Sequence, residues 1–439
     1  MTINNPLNWE NHQVDYLFLL IGENPLPNYV AAKTLLREGG KPCLVYTEHT
    51  KDAARILQKN LNLDENDKLP LGKHESNAFE IRKAIKNKVE EIKDENIKAG
   101  KDPSKICFAL NYTGGTKAMA VHAYQAFLES DISTEIKFSY LDPRNLKMLI
   151  DQKNSSPIRL DIFDKKIKTK VDIPFERLFE LHDLRWKQHD APIFQPSLYD
   201  AAKEIIVIYE NKNYHYRKEV ADSYQSWCKD ELSKAKKANK YWQEESDLEK
   251  LSLNINDVPQ KIKQVFQKYM GISGQQLHLK IAKNLGFNSY QDFCGWLNCG
   301  WLEHYVLWQI QQIPDSLNLN IDESAMSFHI EDPDNKNAMW DKFEFDVAFR
   351  RRYQLFAISC TTSIHDNTCK EKLFEAYVRA RQLGGAESKV ALVCLHHDTK
   401  RLEKQMKILT QDNKIAVFGI NHLMNLSPKI TNWIQGKDY

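Results

Sequence analysis

The stretch "CFALNYTGGTKAMAVHAYQAF", residues 107–127, sets the reading of the first half of the chain. An apolar run ends at Asn111-Tyr112-Thr113, turns through Gly114-Gly115, and passes Thr116-Lys117 into a helix-patterned segment. Strand, glycine turn and helix in that order make one β–α step of a parallel sheet. Two glycines let the backbone turn sharply and approach a ligand closely. The free N–H groups and dipole of the following helix start favour an anion. The Walker A spacing is absent, so the turn suits a phosphodiester better than a triphosphate.

The same alternation extends on both sides. Strand candidates lie at 15–22, 41–47, 105–113 and 135–142, with helical patterns at 28–38, 50–60, 76–96 and 116–130. This predicts a doubly wound α/β sheet with an antiparallel hairpin over 137–162. In an open sheet the loops beyond the strand C-termini lie together and bind ligands. "GENPLPN" (22–28) and "YTEHT" (46–50) are the other two loops at that edge.

At 439 residues the chain is long enough for about two to three domains. We place them at 1–168, 169–275 and 276–439: the α/β unit, a helical linker or insert, and a second α/β unit of mixed topology. A net charge of +2 excludes a global basic field, so any nucleic-acid surface is local. No apolar run is long enough to span a bilayer, which predicts no membrane partner. "MTINNPLNWENHQ" lacks the pattern of a secretory signal, and the eight cysteines form no CxxC pair. A cytoplasmic protein with reduced thiols is the expectation. The insert carries "KDELSKAKKANKYWQEESDLEK" (229–250), a lysine-rich stretch with aromatics, read as a solvated face or as one turned to nucleic acid. "GQQLHLKIAKNLGFNSYQDFCGWL" (274–297) has the outline of a helix-turn-helix, but its second helix has no Arg or Lys to read DNA.

In the last unit, strand candidates lie at 325–331, 343–349, 354–360, 389–395 and 415–418, with a helix at 369–383. "EFDVAFRRRYQLFAISCTTS" (344–363) places Glu344 and Asp346 one position apart on a strand face. Glu303 lies on the otherwise apolar helix "GWLEHYVLWQIQQI", where a charge is costly without a partner. Thr368 and Glu371 have capping-box spacing, so the following helix is expected to begin near Cys369 and to end at Gly384-Gly385. Its predicted stripe of Leu373, Phe374, Tyr377 and Ala380 favours Lys370 over Lys372 as the lysine facing the carboxylates. Arg350, Arg351 and Arg352 are expected in a solvated hairpin turn or on substrate phosphates.

Two resemblances follow from these residues. "LIGENPLPNYVAA" and "NYTGGTKAMA" resemble a CARF domain, the Rossmann-like sensor of cyclic oligoadenylates in type III CRISPR defence, over about residues 10–165. That likeness implies a homodimer with one cyclic oligoadenylate, the tetra-adenylate, bound as activator across the two-fold axis. By position, Gly22, Glu23, Asn24, Asn28, Thr47, Asn111, Thr113, Gly114, Gly115, Thr116 and Lys117 would line the pocket. "GWLEHYV", "FEFDV", "AISC" and "KLFEAYVRARQLGG" resemble the PD-(D/E)xK nuclease, a restriction-endonuclease-like α/β domain, over about 280–400. The implied function is a cyclic-oligoadenylate-activated nuclease using Mg²⁺ or Mn²⁺. Asp346 and Glu303 would be metal ligands, with the backbone carbonyl of Cys360. Glu344 would be a ligand or the neighbour of one, and Lys370 or Lys372 the electrostatic helper. Ser359 and Thr361 stand where that family carries its acid and lysine. The departure leaves a second reading open: a CARF sensor with a degenerate nuclease fold, or a transcription regulator.

Overall fold

The computed structural model describes residues 7–130, 136–187, 191–238, 241–333 and 344–438. The first unit comprises β1 (Val14–Leu20), α1 (Leu26–Leu35), β2 (Leu36–Tyr46), α2 (Lys51–Leu61), β3 (Lys68–Pro70), α3 (Ala78–Lys98), β4 (Phe108–Asn111), α4 (Lys117–Leu128), β5 (Lys137–Asp142), β6 (Lys147–Gln152) and β7 (Ser155–Asp161). They form one sheet in the order β3-β2-β1-β4-β5-β6-β7. The first five strands run parallel and the last two close it as an antiparallel meander. β1 is apolar throughout its second half because it is covered on both faces. Ile81, Ile85 and Val89 of α3 bury one face and Leu17 and Leu19 of β1 the other. The predicted helix over 28–38 ends earlier, at Leu35, where β2 begins. The short strand β3 is an addition: three residues carry too little pattern to be legible.

The rest comprises α5 (Lys168–Val171), α6 (Phe175–Glu180), β8 (Arg185–Trp186), α7 (Tyr199–Tyr209), α8 (Tyr214–Asp230), α9 (Glu245–Leu248), β9 (Ser252–Asn254), α10 (Gln260–Met270), β10 (Gln276–His278), α11 (Tyr290–Gly295), α12 (Trp301–Gln311), β11 (Glu323–Glu331), β12 (Glu344–Arg351), β13 (Gln354–Thr361), α13 (Asp366–Gly384), β14 (Lys389–Cys394), α14 (Thr399–Thr410), β15 (Ile415–Phe418), α15 (Ile420–Leu423) and α16 (Leu426–Gln435). The second sheet has the order β15-β14-β13-β12-β11-β8. β13, β14 and β15 are parallel, and β11, β12 and β13 antiparallel, so its topology is mixed.

Residues 162–184 tie the two sheets together. Phe175 and Phe179 belong to the same core as Leu17 and Leu26 of the first unit and Phe328, Phe345 and Leu383 of the second. The core of the second unit also crosses residue 275 without a break: Ile205, Phe266, Trp301, Val347 and Trp433 belong to one cluster. α12 sits in its middle, with Trp308 stacked on Tyr199 at 4.8 Å and the Tyr305 hydroxyl donating to the Leu423 carbonyl at 2.8 Å. Residues 274–297 do not form a helix-turn-helix. They make β10, a 3₁₀ turn and the single short helix α11, with Phe293 and Trp296 buried where a recognition helix would need to be exposed.

The three arginines correct another expectation. Arg350 is buried and pairs with Asp172 and, at 2.6 Å, with Glu323. Arg352 is 2 % exposed and pairs with Asp322 at 2.6 Å, and the Arg351 guanidinium lies 4.7 Å from the Phe163 ring centre. They clamp the hairpin to the linking segment and are not available to phosphates. No helix among the described residues is long and apolar enough to cross a membrane.

Candidate functional site

The first candidate site is the C-terminal edge of the first sheet. Its centre is the close packing of two loops. A Cβ on Gly114 would fall 2.2 Å from the Leu20 carbonyl oxygen and 3.0 Å from both Asn28 Oδ1 and the Gly22 nitrogen. Gly115 has φ +73°, a conformation that costs any residue with a Cβ. The glycines therefore let the turn after β4 lie directly on the turn after β1. Asn28 is fully buried and its Nδ2 donates to the Leu20 carbonyl at 2.9 Å. Asn111, also fully buried, donates to Ser139 Oγ at 3.0 Å and accepts from the Thr113 N–H. Thr47 is 3 % exposed and caps the turn after β2 through Thr50. These three brace the loops and do not reach the surface.

Thr113 Oγ1 accepts from the Leu141 N–H at 2.7 Å. Thr116 caps α4, accepting from the Met119 N–H at 3.1 Å and donating to the Glu75 carbonyl at 2.8 Å. That second bond brings in loop 71–77, which the sequence alone did not single out. Glu23, Gly115, Thr116 and Lys117 are exposed, with Gly22, Thr113 and Gly114 partly so. The exposed residues of this edge thus carry one ammonium, Lys117, and one carboxylate, Glu23, beside the Thr116 hydroxyl and the glycine backbone. Asn24 is placed elsewhere: its Oδ1 accepts from the Leu26 N–H at 2.9 Å, and its Nδ2 lies 2.8 Å from where a Cβ on Gly385 would be. That residue faces the second unit.

The second candidate site is acidic. Glu303 is in the first turn of α12, just after a kink at which Cys299 has φ +76°. Its carboxylate accepts a short hydrogen bond from Ser327 Oγ. Ser327 itself has φ +51°, between the pairs Met326↔Val347 and Phe328↔Phe345, whose register is unbroken. Asp346, 7 % exposed, accepts from Ser359 Oγ at 2.8 Å and from the Cys360 N–H at 2.7 Å through the same oxygen. Ser359, which stands where the resembled family has an acid, thus holds an acid instead. A cavity of about 20 Å³ is enclosed by Glu344, Asp346, Ser359, Lys372 and Glu375, among others. It has room for about one water.

Burial pushes the Glu303 carboxyl well above its ordinary range, reinforced by the charges of Asp346 and Glu344. Burial also raises Asp346, opposed by the Lys372 ammonium and by its two hydrogen bonds. Asp346 in turn holds the Lys372 ammonium above its usual value. Lys372 is therefore the lysine at this site, and Lys370 is not among the residues around the cavity. The expectation failed because α13 begins at Asp366, with His365 as N-cap and no side-chain cap, and because its buried stripe is Cys369, Leu373, Ala376, Ala380 and Leu383. Phe374, counted into that stripe, is 52 % exposed. Moving the buried stripe from Phe374 toward Cys369 and Ala376 turns the helix by roughly 70°, which brings Lys372 nearer the buried side and carries Lys370 away from it. His329 lies close enough to lower the Asp346 carboxyl, a neighbour the sequence did not point to.

Among the described residues no three His, Cys, Asp or Glu side chains converge tightly enough to hold an ion by themselves. The donors present are nonetheless oxygens, the type that hard divalent cations take, and such cations commonly keep waters in their shell. Crowded carboxylates that raise one another are also what a cation would relieve. In donor chemistry the site fits Mg²⁺ or Mn²⁺. The Cys360 thiol is buried and pushed far up, so only its backbone could serve. All eight cysteines are unbridged.

Residues 17–169 match the family model described as the Card1 CARF domain. Among solved structures the chain is similar to Can2 from Sulfobacillus thermosulfidooxidans, solved in complex with cyclic tetra-adenylate. The identity is 17% and the TM-score 0.61, over 96% of this chain and 99% of that one. It is also similar to protein VC1899 from Vibrio cholerae at 15% identity and a TM-score of 0.63, over 96% and 98% of the two chains. No protein of curated function matches. The first unit is thus a CARF-like domain, and the likeness to both structures extends over the whole chain at the level of fold.

Proposed function

We propose that the chain is a metal-dependent nuclease switched on by a cyclic oligoadenylate, taken as cyclic tetra-adenylate from the ligand of Can2. In this reading two copies pair through their CARF-like units, and one ring lies across the symmetry axis on the exposed N–H groups of Gly22 and Gly114–Lys117. The observation that carries the nuclease half is the convergence of Glu303, Glu344 and Asp346 on Lys372 beside a water-sized cavity.

Asp346 and Glu303 would hold the Mg²⁺ or Mn²⁺, with Glu344 beside them. Bound there, the ion supplies a lowered pKa for its water and neutralisation of charge on phosphate. Lys372 places a fixed positive charge where negative charge grows on the phosphoryl oxygens, taking the part of the lysine missing at Thr361. Ser359 and the Cys360 N–H hold one oxygen of Asp346 in place and leave the other to bind. Asp346 is buried, which strengthens the interactions it makes.

The contact between Asn24 and Gly385 offers a route for activation. Asn24 is in the β1–α1 loop of the sensor edge, and Gly385 ends α13, the helix that carries Lys372. His182 of the linking segment also meets α13, through the Leu383 carbonyl at 3.0 Å.

The test is a cleavage assay on plasmid, single-stranded DNA and RNA, with Mg²⁺ or Mn²⁺, with and without cyclic tri-, tetra- and hexa-adenylate. Cutting that needs metal and one ring size, and is lost in Asp346→Ala, is expected. Ring binding with no cutting of any substrate would refute the nuclease half and favour a sensor with an inactive core, the reading that Thr361 and the lack of a closed ligand set support.

A further inference from the structure

Beside the acidic site a cleft of about 530 Å³ opens between the helical segment and the second sheet. Ligand pockets fall in this size range. Glu303 and Glu344 line it, so it is continuous with the candidate catalytic groups. Its other walls include Trp242, Trp296, Gln291, Asp292 and Asn298. The stretch 229–250, which neither candidate site uses, thereby reaches the site through Trp242.

How its lysines are engaged decides what that stretch offers. Lys234 pairs with Glu231 and Lys237 with Glu244. Lys236 instead lies over the Trp242 ring, its Nζ 4.7 Å from the centroid, and a backbone bridge joins the same two residues. Two of its lysines are thus neutralised, and through Trp242 the stretch presents to the cleft a half-buried indole with a cation over its ring. Deeper, Trp296 is 1 % exposed and its Nε1–H has no hydrogen-bond acceptor. The amide side chains of Asn288, Gln291 and Asn298 and the carboxyl groups of Glu245 and Asp292 line the same cleft.

A flat aromatic wall with amide and carboxyl groups at its edge matches one chemical class: an unpaired nucleobase, with a π-face to stack and a polar edge to bond. A paired base within a duplex presents neither, because its faces are stacked and its edge is taken. We propose that the cleft is a subsite for an unpaired nucleobase of the strand being cut, with Trp242 as its stacking platform. The proposal rests on the nuclease reading for its placement, not for its test.

The experiment uses the full-length protein with cyclic tetra-adenylate and a chelator. Anisotropy of a short labelled DNA single strand, its duplex, and the corresponding RNA is measured for wild type, Trp242→Ala and Trp242→Phe. Loss of one base–aromatic stack is expected to weaken single-strand binding in Trp242→Ala by roughly 5- to 100-fold. Trp242→Phe should stay within about threefold of wild type, since it keeps a π-face. Duplex and cyclic tetra-adenylate binding should not change. Wild type failing to bind single strands, Trp242→Ala binding them as wild type does, or single strand and duplex weakening together would each overturn the subsite. Photo-crosslinking of a 5-iodouracil strand to wild type is independent of any variant's folding. Trp242 as the crosslinked residue supports the proposal, and crosslinking confined to other surfaces overturns it. Binding with this signature but no cleavage when metal is restored would keep the subsite and refute the nuclease reading. Cleavage unaltered by Trp242→Ala would do the reverse.

Discussion

The sensor edge and the acidic site are built on opposite principles. At the sensor edge side chains are removed: glycines bring two backbones together. Its polar side chains Asn28, Asn111 and Thr116 are spent inside the protein. At the acidic site side chains are crowded in: a buried carboxylate, Asp346, a half-buried one, Glu303, and an exposed one, Glu344, lie near one another, balanced by one lysine on a helix from the other side. The first arrangement is inexpensive to hold and waits for an anion. The second is costly without a cation. On the proposed reading a ligand of opposite sign completes each.

The contrast predicts different sensitivities. The largest effect is expected at Lys372. Lys372→Met should lower ring-activated cleavage by on the order of 10²–10³-fold, the usual loss for a transition-state charge partner, while Lys370→Met stays close to wild type. A larger loss in Lys370→Met than in Lys372→Met, measured as single-turnover rates, would restore the wheel-based assignment. Next is Gly114→Ala. Its Cβ would strike the Leu20 carbonyl at 2.2 Å, so the two loops must separate. Ring binding by calorimetry should fall at least ~100-fold, which at 1.4 kcal/mol per factor of ten is a loss of about 3 kcal/mol, while metal binding at the acidic site is unchanged.

Gly385→Ala tests the connection between the regions. Its φ of +64° and the contacts at 2.8 Å with Asn24 and 2.9 Å with Glu387 make a methyl group strained there. Ring affinity should hold within about threefold while the ring-dependent gain in cleavage falls, on the order of 10-fold for a coupling loss of about 1.4 kcal/mol. A parallel fall in both would show a local defect only.

The smallest effect is thermal. Glu303 has a carboxyl raised above 4.5 in the folded state. Its contribution favours the fold at acid pH and is lost as pH rises through the raised value. In the absence of metal, Glu303→Gln should therefore melt a few degrees higher than wild type at neutral or alkaline pH, and the difference should close below about pH 4.5. Adding Mg²⁺ should raise the melting temperature of wild type and narrow the gap. A variant less stable than wild type at every pH would mean that Glu303 is ionised and satisfied by protein groups alone.

The sequence by itself carried what depends on local period and backbone chemistry. The longer strands of both sheets, the glycine turn at 114–115, and the acids at 303, 344 and 346 were legible from apolar runs, a turn that only glycine permits, and charges in apolar surroundings. What depends on which face of an element meets which neighbour was not legible. Whether Lys370 or Lys372 faces Asp346 turns on which stripe of α13 is buried, and that stripe runs through Cys369 and Ala376 rather than Phe374. Asn28 and Asn111 read as ligand groups, because sequence shows that a side chain is polar and not that a carbonyl or hydroxyl lies within 3.0 Å to take its bond. Arg350 and Arg352 read as a solvated turn because their partners Asp172, Glu323 and Asp322 come from other segments. Trp242 reached the acidic cleft only through tertiary packing. Local structure follows from the chain's own covalent and steric preferences, whereas the partner of a buried charge is chosen by the whole fold, since desolvation is offset only by a group that long-range packing brings into contact.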